Sequence, residues 1–405
     1  AITDSFIEYY AKKNVRLEPI NLQDEVTFSV LDLEEAHKVY QDYCELADTV
    51  LKDAIRDMDT LVTLGRAADQ TVRFGGPVYS VFNTIDLANL AENLKGAYPD
   101  EAGALLDSID RAVIYNRTTR SISGSRGISV YFPAEIPDAT SLVYCLDYIR
   151  NICADDSIRA LYYYKISGCL SEEMQAYADG AGYGRAQKLD NTPLRNLQYE
   201  ELAMDSDRFS LTLPEDSESL IQAGTFYLAG LDGEDIVNYG EDGFVKTEDG
   251  KLVSTFDGKW LTMDGNLLPL EQVGTSAAGT GRYRTKVQHK GKDSYMMLTV
   301  DEASGNVQIL GIYDAVDPNG EASATRNIKN VQVGDELRII YDQDSFEVGG
   351  HTERYGPKFT YKANTDIGYE TVKDGVYLAT LVMYDMRGDA FYSPIVQYEI
   401  KGGKS

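Results

Sequence analysis

The chain has 405 residues, 43% of them hydrophobic and 25% charged, the make-up of a globular protein with room for two or three cores. Its 65 Asp and Glu against 38 Lys and Arg leave a net charge of −27. Such a field repels phosphate backbones and anionic lipid, which argues against nucleic-acid and membrane-surface binding and favours cationic partners. No run of about 18 uninterrupted apolar residues exists, so no membrane-spanning helix is expected.

In chain order, residues 1–13 are predicted to form a helix. Val26, Phe28 and Val30 then alternate with Thr27 and Ser29, the period of a strand with one buried face. That strand, Thr27–Leu31, runs into Asp32-Leu33-Glu34-Glu35, a helix N-cap with an acidic residue three positions on. Further helices are predicted over 33–57, 59–72, 86–95, 101–116, 140–154 and 156–165. Thr84-Ile85-Asp86-Leu87 is a second strand end that turns into a helix at an aspartate. Gly127-Ile128-Ser129-Val130-Tyr131-Phe132-Pro133 is another alternating strand, stopped where Pro133 removes a ladder donor.

The four cysteines, Cys44, Cys145, Cys153 and Cys169, all lie in this first part and permit two disulfides in three pairings. Cys44 stands within an apolar helical stripe with Val39, Tyr40, Tyr43, Ala47, Val50 and Leu51. Cys145 belongs to a similar stripe with Leu142, Tyr148 and Ile149. Small buried thiols are expected rather than disulfides or nucleophiles. His37 precedes Cys44 by two helical turns, beyond hydrogen-bond reach, and His289 and His351 fall in the later region. Asp32 and Asp86 each follow a strand end, where α/β sheets place ligands. An acidic specificity residue is one reading of either; helix capping explains both without further assumption.

Residues 171–204 are expected to form a linker or surface excursion, with three glycines between Asp179 and Gly184 and a turn at Asn191-Thr192-Pro193. From about 205 the pattern is short strands spaced by Asp-Gly turns, at 232–233, 242–243, 249–250, 257–258, 264–265 and 374–375. It predicts all-β sandwich-type modules over 205–315 and 316–405. Candidate ligands here are few. Asp314, Asp317, Asn319 and Glu321 have oxygen spacings that calcium accepts, without an EF-hand pattern; Asp342 and Asp344 are a weaker pair. Trp260, the one tryptophan, is read as a core residue after a tight turn, with sugar stacking as the alternative. Phosphate loops, His-Glu-x-x-His and Gly-x-Ser-x-Gly are absent; Ser123-Gly124-Ser125-Arg126-Gly127 precedes a strand instead of following one.

Three features resemble the downstream half of the catalytic domain in clostripain-like cysteine peptidases: the Thr27–Leu33 strand with its Asp-Leu helix start, the second Asp-Leu start at Asp86-Leu87, and the Gly127–Pro133 strand. Ala1–Phe6 is similar to the helix that precedes the first of these. The resemblance covers residues 1–170. It implies part of a caspase-like α/β domain, a sheet flanked by helices but incomplete, followed by the all-β modules. Members of this family use a Cys/His pair with the cysteine in Asp-Ala-Cys, and that tripeptide does not occur here. By the family's order both groups precede Ala1. The expectation is therefore a downstream portion: a heavy chain left by processing, a proteolytic product or a shortened polypeptide. It would complete the sheet and cleft of a secreted bacterial endopeptidase that cuts after basic residues, and would be inactive alone. No catalytic or metal residue is assigned within the chain; calcium dependence is implied by the family without ligands. The expected partners are the segment carrying Cys and His, and peptides with basic residues. A non-catalytic surface protein binding protein or glycan through its β-modules is the alternative, and an inhibitory or recruiting subunit a further one.

Overall fold

The computed structural model describes residues 16–17, 20–21, 27–74, 83–118, 122, 124–134, 139–205, 208–214, 216–242, 245–248, 250–277, 280–301, 304–315, 329–345 and 350–400. The chain divides into two compact units. The first is Ala1–Asn191 with Thr275–Ala278 and Asp385–Asp389; the second is Thr192–Gly274, Gly279–Tyr384 and Ala390–Ser405. The predicted helix over 1–13 lies outside the described residues.

In the first unit a two-residue pair, β1 (Arg16–Leu17) and β2 (Ile20–Asn21), precedes β3 (Thr27–Leu31). Asp32 accepts a hydrogen bond from the Glu34 amide and starts α1 (Leu33–Arg56), whose inner stripe of Val39, Tyr43, Leu46, Val50 and Leu51 is buried. Then come α2 (Asp59–Asp69), β4 (Arg73–Phe74), β5 (Thr84–Asp86), α3 (Leu87–Leu94) and α4 (Pro99–Ala112). The helix expected over 101–116 stops at Ala112. Val113–Thr118 is a strand, β6, antiparallel to β3 with Thr27 opposite Thr118. Val113 and Ile114 are β-branched and lose rotamers in a helix, and the exposed groups of β3 supply the ladder. β7 (Ser129–Tyr131) follows, then α5 (Ala139–Asn151), α6 (Asp156–Ser167) and α7 (Glu172–Gly180).

The two strands expected to share one sheet belong to different ladders. Among the described residues β3 pairs only with β6, whereas β7 pairs with β5, and β5 with β4. The fold of this unit is helix-rich α/β with short antiparallel strands. Residues 171–191 are not a bare linker. Ser171 caps α7, and Tyr177 and Tyr183 both donate to the Asp48 carboxylate on α1.

The second unit opens with the short helix α8 (Thr192–Asn196) and then runs almost entirely as strands. These are β8 (Leu202–Asp205), β9 (Arg208–Thr212), β10 (Ala223–Asp232), β11 (Asp235–Asp242), β12 (Val245–Glu248), β13 (Lys251–Ser254), β14 (Lys259–Met263) and β15 (Asn266–Leu267). After them come β16 (Glu271–Ala277, of which residues 275–277 are counted with the first unit), β17 (Thr280–His289), β18 (Lys292–Asp301), β19 (Val307–Asp314), β20 (Glu336–Ser345), β21 (His351–Thr360), β22 (Ile367–Thr371), β23 (Gly375–Tyr384), β24 (Ala390–Tyr392) and β25 (Val396–Ile400). Eleven of them join in one antiparallel sheet ordered β19-β18-β17-β20-β11-β10-β23-β24, with β16, β21 and β25 paired at its sides. The two sandwich modules expected over 205–315 and 316–405 are thus not separate: β20 pairs with both β17 and β11, and β23 with β10. β10 and β23 are buried on both faces, so their apolar runs pass through the centre of a core.

Candidate functional site

Cys44 lies on α1 beside buried Tyr43 and Ala47. Burial, and after it the neighbouring Asp155 carboxylate, push its thiol up to about 12, and burial raises Cys153 to about 11. A thiol kept protonated at neutral pH is a poor nucleophile. Cys145 is fully buried, its thiol raised by the same desolvation, and all four cysteines are free thiols. The imidazoles are engaged elsewhere. His37 Nε2 lies 3.1 Å from the Gln41 amide nitrogen, His289 Nε2 2.9 Å from Asp335, and His351 3.3 Å from Asp342 and 3.2 Å from Asp344.

Both aspartates at the strand ends cap helices. The Asp32 carboxylate takes the Glu34 amide at 2.9 Å, and its backbone N–H donates to the Ala112 carbonyl at 2.7 Å. Asp86 does more. It has no exposed surface, and its Oδ1 accepts the Asn89 amide at 3.0 Å while Oδ2 accepts the Arg126 amide at 2.7 Å and the Ser125 hydroxyl at 3.2 Å. Desolvation raises its pKa even though all these donors favour the anion. The carboxylate thereby ties the end of β5 to the turn that enters β7.

Around it the polar chain continues. Asn116 Nδ2 donates to the Ser125 carbonyl at 2.6 Å, and the Ser29 hydroxyl donates to Asn116 Oδ1 at 3.0 Å. Asn89 Nδ2 donates to the Gly124 carbonyl at 3.1 Å. Ser29 is on β3 and Asn116 on β6, so this relay joins the β3–β6 ladder to the β5–β7 ladder. Gly127 completes the junction. Its φ is +107°, and a Cβ there would stand 2.9 Å from Val113 Cγ1 and 3.2 Å from Ser29 Oγ. Arg126 points outward to Asp110 at 2.7 Å and Glu92 at 3.8 Å. Ser125, part of the near-match to a nucleophile elbow, has a hydroxyl that donates to a carboxylate, which makes it a structural tie. Asn116 was hidden because its segment reads as helix; the β-branched pair Val113-Ile114 was the available signal.

The remaining candidates are scattered. Of the proposed calcium ligands, Asp317, Asn319 and Glu321 lie outside the described residues, and Asp314 faces Lys329 at 3.5 Å and Lys292 at 3.8 Å. Asp342 is held by Lys286 at 2.7 Å and Asp344 by Asn238 at 2.9 Å. Among the described residues no three His, Cys, Asp or Glu side chains converge as metal donors. Trp260 is fully buried, its indole N–H donating to the Leu268 carbonyl at 2.8 Å, which rules out stacking on an external sugar. No protein-family model matches the chain, and no curated protein matches it.

Proposed function

We propose that the first unit is the downstream portion of a caspase-like catalytic domain in a secreted clostripain-like cysteine endopeptidase. The reactive thiol and imidazole would be carried by a segment outside these 405 residues. One observation carries the reading. Thr84-Ile85-Asp86 and Ser129-Val130-Tyr131, two of the segments on which the resemblance rests, are adjacent strands in register, Ile85 opposite Val130, and their junction is locked by the Asp86 carboxylate. The reading leans on this pair and not on β3, whose partner is β6. The raised thiols of Cys44 and Cys153 fit a chain that does not supply its own nucleophile.

In this reading the thiolate attacks the scissile carbonyl, the imidazolium protonates the departing amine, and water then releases the acyl group. The chain's own residues build and stiffen a wall of the cleft. A net charge of −27 favours substrates with Lys or Arg. The test uses the native protein from its source, assayed with fluorogenic Lys- and Arg-peptides and a thiol-blocking reagent. Thiol-dependent turnover is expected from the native protein and none from the 405-residue chain alone. Turnover by that chain, abolished by Cys44→Ala, would overturn the reading, as would native protein without thiol-dependent activity.

The alternative of a binding protein gains one specific observation, a tyrosine-lined cleft in the second unit.

A further inference from the structure

A cleft of about 570 Å³ opens on the second unit's large sheet, within the range usual for small-molecule sites. Its floor is aromatic. Tyr341 on β20, Tyr239 on β11 and Tyr377 on β23 line it, with Tyr239 and Tyr341 edge to face at a centroid distance of 6.0 Å and Tyr377 tilted by 43° to Tyr239 at 6.5 Å. Each ring is settled against a glycine. A Cβ at Gly230 would meet Tyr239 at 3.0 Å, one at Gly356 would meet Tyr341 at 3.3 Å, and one at Gly375 would meet Tyr377 at 3.4 Å. Two of the hydroxyls are turned inward: Tyr341 donates to the Leu267 carbonyl at 2.9 Å and Tyr377 to the Lys373 carbonyl at 2.8 Å. Tyr377 is 5% exposed and belongs to the core, so the ring surface open to the cleft comes from the half-buried Tyr239 and Tyr341. At the rim Arg354 Nη1 meets Asp232 Oδ2 at 2.6 Å, both side chains well exposed.

We propose that this cleft binds a neutral glycan, one pyranose ring lying against the half-buried ring of Tyr239 and its hydroxyls bridging Asp232 and Arg354. The C–H face of a pyranose is electropositive and apolar, the complement of an aromatic π-face. A guanidinium beside a carboxylate offers both donors and acceptors, as vicinal hydroxyls require. The paired charges favour neither a cationic nor an anionic ligand. A proline-rich peptide needs ring hydroxyls or similar donors for its carbonyls, and the hydroxyls of Tyr341 and Tyr377 are already donated to the backbone. The site does not depend on the peptidase reading, and binding is measured without proteolysis.

The test titrates the full chain calorimetrically with cello-, xylo-, manno- and chito-oligosaccharides and with a polyproline peptide. Binding of at least one oligosaccharide is expected. Arg354→Ala and Asp232→Ala, at exposed positions that leave the core intact, should each weaken it by about tenfold or more, the loss of a charge-assisted hydrogen bond. Tyr239→Ala should abolish it, with circular dichroism reporting whether the sheet is retained. No oligosaccharide binding at millimolar concentration, binding indifferent to Arg354→Ala and Asp232→Ala, or peptide binding in place of glycan binding would each overturn the proposal.

Discussion

Asp86 and Asp335 are both buried carboxylates, yet their protons are held oppositely. Asp86 receives two amides and a hydroxyl, and burial still raises its pKa. At Asp335 burial pulls the same way but is outweighed by the Lys290 ammonium at 2.7 Å, the Gln332 amide and His289, leaving a pKa of about 2. A full positive charge at contact distance outweighs neutral donors. Because the folded pKa of Asp335 lies below its unfolded value near 4, its contribution is complete above that value and drains away as pH falls towards about 2. Thermal unfolding followed from pH 6 to pH 2.5 should therefore show Asp335→Asn less stable than the parent by about 2 kcal/mol at pH 6, the gap closing on acidification. A gap that stays constant would remove the electrostatic account. The thiols give a second expectation. Cys44, pushed up to about 12, should alkylate with iodoacetamide far more slowly at pH 8 than a free thiol, and Cys44→Ala should fold normally. Rapid labelling of Cys44 in the native protein would contradict its described surroundings.

At the level of elements, the Asp-Gly turns hold in part: Gly243 and Asp249 lie outside the described residues, and Asp257-Gly258 joins strands that pair elsewhere. Asp264-Gly265 has both φ angles positive, at 47° and 70°, and joins β14 to β15 as a two-residue hairpin. Lys290-Gly291 does the same between β17 and β18 without an aspartate to advertise it. Asp374-Gly375 is not such a turn; Gly375 starts β23 and makes room for Tyr377. Gly127 is the element-scale residue that matters most for the first unit. With φ at +107° and Val113 and Ser29 crowding its missing Cβ, Gly127→Ala should destabilise the unit by about 1–3 kcal/mol in urea unfolding, whereas Gly103→Ala, with open space around it, should not. Equal effects at the two positions would mean that the junction of the two ladders is not tight.

For the molecule as a whole, charge and burial act on different terms. Each unit has its own apolar core, one centred on α1, α3, α4 and α6, the other on the central strands β10 and β23 with Trp260. The net charge of −27 adds self-repulsion that salt screens. Raising ionic strength from about 0.01 to 0.1 M shortens the Debye length from about 30 to 10 Å, so Tm should rise over that range and level off beyond it. A fall in Tm would show that attractive pairs, such as Lys286 with Asp342, dominate the long-range field.

The sequence alone determined where apolar stripes and alternating runs lie, and hence α1, α3, α6, β3, most strands after residue 205 and the caps at Asp32 and Asp86. Those depend on periodicity and on bonds within a few residues. It did not determine which strands meet. β3 and β7 have the same pattern, and nothing local states that one takes β6 and the other β5. It read 101–116 as one helix because helical spacing continues past Ala112, where only a waiting ladder edge favours a strand. It divided the β region in two because the long-range pairing of β10 with β23 leaves no local mark. The candidate sites followed the same division: single residues were legible, but the Ser29–Asn116–Ser125–Asp86 relay and the tyrosine cleft exist only once distant strands are hydrogen-bonded side by side.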